Sequence, residues 1–190
     1  MKDKIERIFK ESIEAKQSFL ADPNQIFILQ NVVEKIIDAY KTNKKLLCCG
    51  NGGSAADAQH MVAELVGRFK KERKPLNAIA LTTNTSILTA LANDYSYEDV
   101  FSKQVEAYGE EGDVFIGIST SGNANSVIKA AQKAKQLGLI TVGLTGRSGG
   151  QLKNFVDYCI CASSDSTPRI QELHTLIIHT ICELVEEKLF

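Results

Sequence analysis

Hydrophobic positions divide this chain into two regimes. Before residue 43 they recur at helical spacing. Ile5, Ile8, Phe9, Ile13 and Phe19 or Leu20 mark one amphipathic helix. A second runs from about Pro23 to Tyr40 through Ile26, Ile28, Leu29, Val32, Val33, Ile36 and Ile37. Its apolar content is broad enough for burial on more than one side. Two such helices ahead of any strand are expected to pack against another subunit. From residue 45 the pattern changes to short, continuous apolar runs separated by helical segments. Leu46–Cys49, Ala78–Leu81, Val114–Ile118, Thr141–Leu144 and Tyr158–Cys161 read as strands covered on both faces. Helical patterns follow at about 54–67, 85–92, 98–108, 124–137 and 168–188. Strands alternating with helices predict a parallel, doubly covered α/β sheet. No internal repeat or linker interrupts it. The expected organisation is one domain over 1–190, with residues 1–42 an N-terminal helical oligomerisation segment and 43–190 the α/β core.

Composition narrows the function classes. Lysine and arginine total 22 against 23 acidic residues, a formal charge of −1 that gives no nucleic-acid surface and no membrane patch. The basic run Arg68–Lys74 reads as a solvated helix end and loop. The charged, amphipathic start lacks the apolar core of a signal peptide, and no apolar run reaches transmembrane length, so a cytoplasmic location is expected. Of five cysteines, Cys48, Cys49, Cys159 and Cys161 fall in strands and Cys182 on a helix. Metal binding through Cys159-x-Cys161 is one reading. Buried, reduced thiols packed on one strand face are the expectation.

In an open parallel sheet, ligands bind beyond the carboxyl ends of the strands near the topological switch point. Two strand ends carry suitable loops. The first strand runs into Gly50-Asn51-Gly52-Gly53-Ser54, where glycines let backbone N–H groups approach a ligand and Ser54 is positioned to cap the following helix. An ordinary tight turn would look the same. The third strand ends in Ser119-Thr120-Ser121-Gly122-Asn123 ahead of another helix. Three hydroxyls and a helix N-terminus suit a phosphate monoester. A structural Ser/Thr turn is the alternative. Neither loop matches GxxxxGK[ST] or GxGxxG.

His60 and Glu64 lie four residues apart and share a helical face, with Asp57 a turn earlier. Gln171 and His179 lie about 80° apart around the last helix, so both could face one cleft. Imidazole, carboxylate and amide oxygen can together hold a divalent metal. On spacing alone a surface helical ion pair or a satisfied histidine is the preferred account of His60 and Glu64, and His174 rivals Gln171 and His179 as a ligand.

At these residues the sequence resembles a known family. CGNGGSAADAQHMVAELVGRF, LTALANDYSYEDVFSKQV, ISTSGNANSVIKA and TPRIQELHTLIIHTICELVE together look like the sedoheptulose 7-phosphate (phosphoheptose) isomerases of the sugar-isomerase, or SIS, superfamily. The resemblance spans essentially the whole chain. It implies a five-stranded, flavodoxin-like parallel sheet with helices on both faces and two extra N-terminal helices. It also implies a homotetramer whose sites are completed across subunit interfaces, and one zinc per subunit at His60, Glu64, Gln171 and His179. The implied substrate contacts are Asn51, Gly52, Gly53, Glu64, Asn93, Asp94, Ser119, Thr120, Ser121 and Gln171, with Arg68 a further candidate. Two departures stand out: Ala124 replaces a family serine that contacts phosphate, and Pro168 replaces an aspartate before Arg169.

The implied reaction is aldose–ketose isomerisation of sedoheptulose 7-phosphate to D-glycero-D-manno-heptose 7-phosphate in bacterial heptose biosynthesis. It passes through an enediol, with Glu64 the carbon base and His179 the partner acid/base. Three other readings compete. The DnaA initiator-associating protein has this fold but lacks the Glu64 and His179 equivalents and has arginine in place of Ser121. A SIS-type sugar-phosphate sensor would keep the phosphate loop without the acid/base pair. An isomerase for another ketose phosphate would keep both.

Overall fold

The computed structural model describes residues 1–190. Two long helices come first, α1 (Lys2–Leu20) and α2 (Pro23–Lys41). Asp22 ends the short link between them and caps α2, accepting from the N–H groups of Asn24 and Gln25, with Pro23 in the first turn. Such a cap is worth about 1 kcal/mol. Five strands follow: β1 (Leu46–Gly50), β2 (Ala78–Ala80), β3 (Val114–Ser119), β4 (Ile140–Thr145) and β5 (Tyr158–Cys161). They alternate with α3 (Gly53–Val66), α4 (Thr85–Asp94), α5 (Val100–Tyr108), α6 (Asn125–Gln136) and α7 (Thr167–Leu189). The sheet is wholly parallel in the order β2-β1-β3-β4-β5. The order reverses between β1 and β3, so the loops after those two strands lie side by side.

Alternation along the buried strands builds two cores. Leu46, Cys48, Val114, Ile116, Ile118, Val142, Leu144 and Ile160 face α2, α3 and α7. Leu47, Cys49 and Phe115 face α5 and α6. Both faces of the sheet are covered, as the continuous apolar runs predict. At Gly117 a Cβ would collide with Val127 of α6. Glycine there lets the helix sit directly on the strand.

The N-terminal helices behave differently from each other. Helix α2 buries Leu29, Val32, Val33, Ile36, Ile37 and Ala39. Helix α1 buries only Ala15 and Phe19, leaving Ile5, Phe9 and Ile13 about half exposed or more. No helix is long and apolar enough to cross a membrane.

Three expectations are corrected. Cys48, Cys49 and Cys182 are buried, but Cys159 and Cys161 are only partly so, because β5 is an edge strand. The run Arg68–Lys74 is not solvated throughout. Arg73 is buried against Glu186 at 3.0 Å, with side-chain exposures of 1% and 2%. Ser54 does not cap α3. The helix starts at Gly53 behind Gly52, which takes the N-cap position with a φ of 56°, and Ser54 is buried inside it.

Candidate active site

The site is assembled along two helices that run side by side in the same direction. Contacts between α3 and α7 occur in matching order. Gly53 lies against Gln171, and a Cβ there would overlap the Gln171 carboxamide. One turn on, Asp57 Oδ1 accepts from the Thr175 hydroxyl at 3.2 Å. Next, His179 Nε2 meets His60 Nε2 at 3.4 Å, and His60 Nε2 lies 3.0 Å from Glu64 Oε1. The i, i+4, i+8 stripe Gln171–Thr175–His179 on α7 thus faces Gly53–Asp57–His60–Glu64 on α3. Thr175 was not among the residues singled out from sequence, although it sits midway along that stripe. Asp57 points to Thr175, with its second oxygen buried and unpartnered. Burial raises its proton affinity, and the Thr175 hydrogen bond opposes this.

One ligand atom from each of His60, Glu64 and His179 falls within 4.8 Å of the others. The two imidazole rings meet edge to face with centroids 4.9 Å apart, and Phe69 packs on His179 at 5.6 Å. Two ring nitrogens and a carboxylate oxygen converging on one point form a donor set suited to a divalent cation. His174 does not belong to it. That side chain is wholly buried and its Nε2–H donates to the Thr145 carbonyl at 3.0 Å. Burial lowers its pKa to about 4, which keeps the ring neutral.

A second construction, unseen in the sequence, holds α3 and α7 at this spacing. Glu186 of α7 accepts from the N–H groups of Phe69, Lys70 and Lys71, at 3.0, 2.7 and 2.8 Å. Arg73 bonds Glu186 and donates to the carbonyls of Glu64, Leu65 and Gly67. These are carbonyls at the end of α3, where a helix leaves acceptors unsatisfied. Burial alone would raise the Glu186 pKa. The three N–H groups and Arg73 outweigh it and bring the value to about 2.

The loops beyond β1 and β3 are tied across the switch point. Asn51 Nδ2 donates to Ser126 Oγ at 3.0 Å, and Tyr97 OH donates to Asn51 Oδ1 at 2.7 Å. Ser119 is buried, Thr120 partly exposed and Ser121 exposed. Ser121 Oγ accepts from the Asn123 N–H, closing the turn. Of the two side chains that stand beside Ala124, Ser126 is engaged with Asn51 and Asn125 with Glu98. The backbone N–H groups of Thr120, Ser121, Asn125 and Ser126 make no turn or cap hydrogen bond within the chain. Asn93 and Asp94 end α4, exposed, and bond each other at 2.9 Å rather than any residue of the His60 cluster. Arg68 is exposed and pairs with Glu72.

Comparison with known proteins decides the family. The SIS-domain model matches residues 9–146. The chain belongs to the phosphoheptose isomerase family. It is 53% identical to the phosphoheptose isomerase of Clostridium acetobutylicum, over 100% of this chain and 97% of that one. It is 53% identical to phosphoheptose isomerase 2 of Campylobacter jejuni, over 96% and 90% respectively. The solved phosphoheptose isomerase of Neisseria gonorrhoeae superposes with a TM-score of 0.92 at 41% identity, covering 98% of both chains. The five-stranded flavodoxin-like expectation agrees with this fold.

Proposed function

We propose that this protein interconverts sedoheptulose 7-phosphate and D-glycero-D-manno-heptose 7-phosphate in heptose biosynthesis, in the cytoplasm. The observation that carries this reading is the convergence of Glu64 with His60 and His179 in a chain 53% identical to a named phosphoheptose isomerase. Family membership makes the chain an isomerase. A binding role like that of the DnaA initiator-associating protein is not favoured, because the acid/base pair is intact.

Each group has a task set by its position. The phosphate enters the β3–α6 turn, where the Ser119, Thr120 and Ser121 hydroxyls join the N–H groups at the start of α6. The backbone of Gly52 and Gly53 approaches the sugar, and Asn51 holds the two loops together. Gln171, lying on Gly53, orients the sugar hydroxyls and would join His60, Glu64 and His179 in holding zinc. Asn93 and Asp94 reach substrate when a second subunit closes the site. When held there, zinc would supply a Lewis acid for the negative charge that develops during the reaction. Glu64 takes the proton from the carbon next to the carbonyl, and His179 moves a proton between the two oxygens. The working form is a homotetramer, with residues 1–42 as its assembly segment. The half-exposed apolar residues of α1 support that arrangement, as does α4, which has no buried residue in the isolated chain.

The test is direct. Incubation with sedoheptulose 7-phosphate in deuterated water should yield the aldose by NMR, with one deuterium at the exchanged carbon. Neither isomerisation nor exchange with any ketose phosphate would return the chain to the adaptor reading.

A further inference from the structure

The two cysteines of β5 stand apart from the isomerase machinery and from the other three. Cys159 Sγ and Cys161 Sγ lie 3.7 Å apart on one face of the edge strand, each 3.5 Å from Thr145 Oγ1. Cys48, Cys49 and Cys182 are at most 1% exposed. Cys161, by contrast, opens on a cleft of about 410 Å³ lined also by Asp22, Gln25, Arg147, Ser148 and Lys153. Residues i and i+2 of a strand are separated by about 6.6–6.8 Å, at the upper limit of what a disulfide spans. The strand is held extended there, since the Cys161 N–H donates to Gln25 Oε1 at 2.8 Å. The sulfurs are therefore close without being positioned to join. Their separation matches another geometry. Two thiolates on one tetrahedral metal, at about 2.3 Å each, lie about 3.8 Å apart.

We propose that Cys159 and Cys161 form a chelating pair for a thiolate-preferring divalent cation of the zinc and cadmium class, separate from the His60 cluster. The two thiols share a hydrogen bond. It lowers the proton affinity of Cys161, with Thr145 and Lys153 assisting against burial. The same shared proton pushes Cys159 upward. A metal takes the place of that proton between the sulfurs. Binding displaces the protons the pair carries and leaves a neutral dithiolate–metal unit, its remaining positions filled by water in the cleft. Asp22, Lys153 and Arg147 line the same cleft.

Cadmium tests this without relying on catalysis, because only thiolate ligands give a sulfur-to-cadmium charge-transfer band. Titration of reduced, metal-free protein should develop that band with one cadmium per chain. Cys159→Ser and Cys161→Ser should each abolish it, with circular dichroism unchanged. His60→Ala should retain the band while losing metal at the nitrogen-rich site, so the two centres fail independently. Cadmium should also block alkylation of Cys161, read by mass spectrometry on the native protein. Absence of the band from the native protein would overturn the proposal. So would its persistence in the Cys159→Ser/Cys161→Ser variant, or alkylation of Cys161 at an undiminished rate with cadmium present.

Discussion

Glu64 is where the chemistry is most exposed to test. Its carboxylate is 3.0 Å from His60 and its backbone carbonyl is held by Arg73, so Glu64→Gln should leave the helix and its neighbours in place. If Glu64 removes the carbon-bound proton, kcat should fall about two to four orders of magnitude. KM should change far less, since the lost interaction acts in the transition state. Steady-state kinetics with sedoheptulose 7-phosphate checks this, and a variant keeping most of its turnover would remove Glu64 as the base. The i, i+4 spacing of His60 and Glu64 puts both on one face, but by spacing alone an exposed ion pair is the better account. Likewise His174 and His179 looked interchangeable as ligands. Tertiary packing separates them: His174 turns inward to a β4 carbonyl, and His179 turns toward α3.

At the scale of elements, the Arg73–Glu186 clamp fixes α3 against α7 and thereby the cluster between them. Removing one member of a buried pair strands the other, at a cost of about 3–5 kcal/mol. Arg73→Ala should therefore lower the denaturation midpoint sharply and weaken metal binding, both measurable on the purified variant. Arg73→Lys should recover little, because one ammonium cannot serve Glu186 and three carbonyls together. The clamp also sets a pH dependence. The Glu186 pKa is depressed from its usual value near 4.3 to about 2 in the fold. Its stabilisation is complete above the unfolded value and disappears as pH falls toward about 2. His174 adds loss at higher pH: its folded value of about 4 lies below the usual 6.5, so the unfolded chain takes up its proton first as pH drops. Asp57, raised by burial, works the other way. Denaturation at pH 7, 5 and 3 should show stability falling in both intervals, with Glu186→Gln flattening the lower one. Nothing in the pattern RFKKERK distinguished Arg73 from its solvated neighbours, because its partner lies 113 residues away in the chain.

For the whole molecule, the prediction concerns assembly. Ile5, Phe9 and Ile13 keep 49%, 67% and 52% of their surface exposed in the single chain. Large apolar side chains exposed together at helical spacing are candidates for an interaction surface. Phe9→Glu with Ile13→Glu should lower the mass seen by analytical ultracentrifugation and reduce activity, while helical content stays close to native. A variant that still assembles fully would clear α1 of the interface. The sequence by itself determined the alternation of strands and helices, because periodicity reports burial locally. It also marked the loops after β1 and β3 as the candidate ligand loops, because parallel sheets open their sites at strand ends. Only the tertiary structure decided which polar side chains meet. Thr175 with Asp57, Arg73 with Glu186 and Asn51 with Ser126 are pairs far apart in the chain, and no local period encodes them. The same holds for the thiols. A strand pattern records that Cys159 and Cys161 share a face, but only the position of β5 at the sheet's edge leaves that face open.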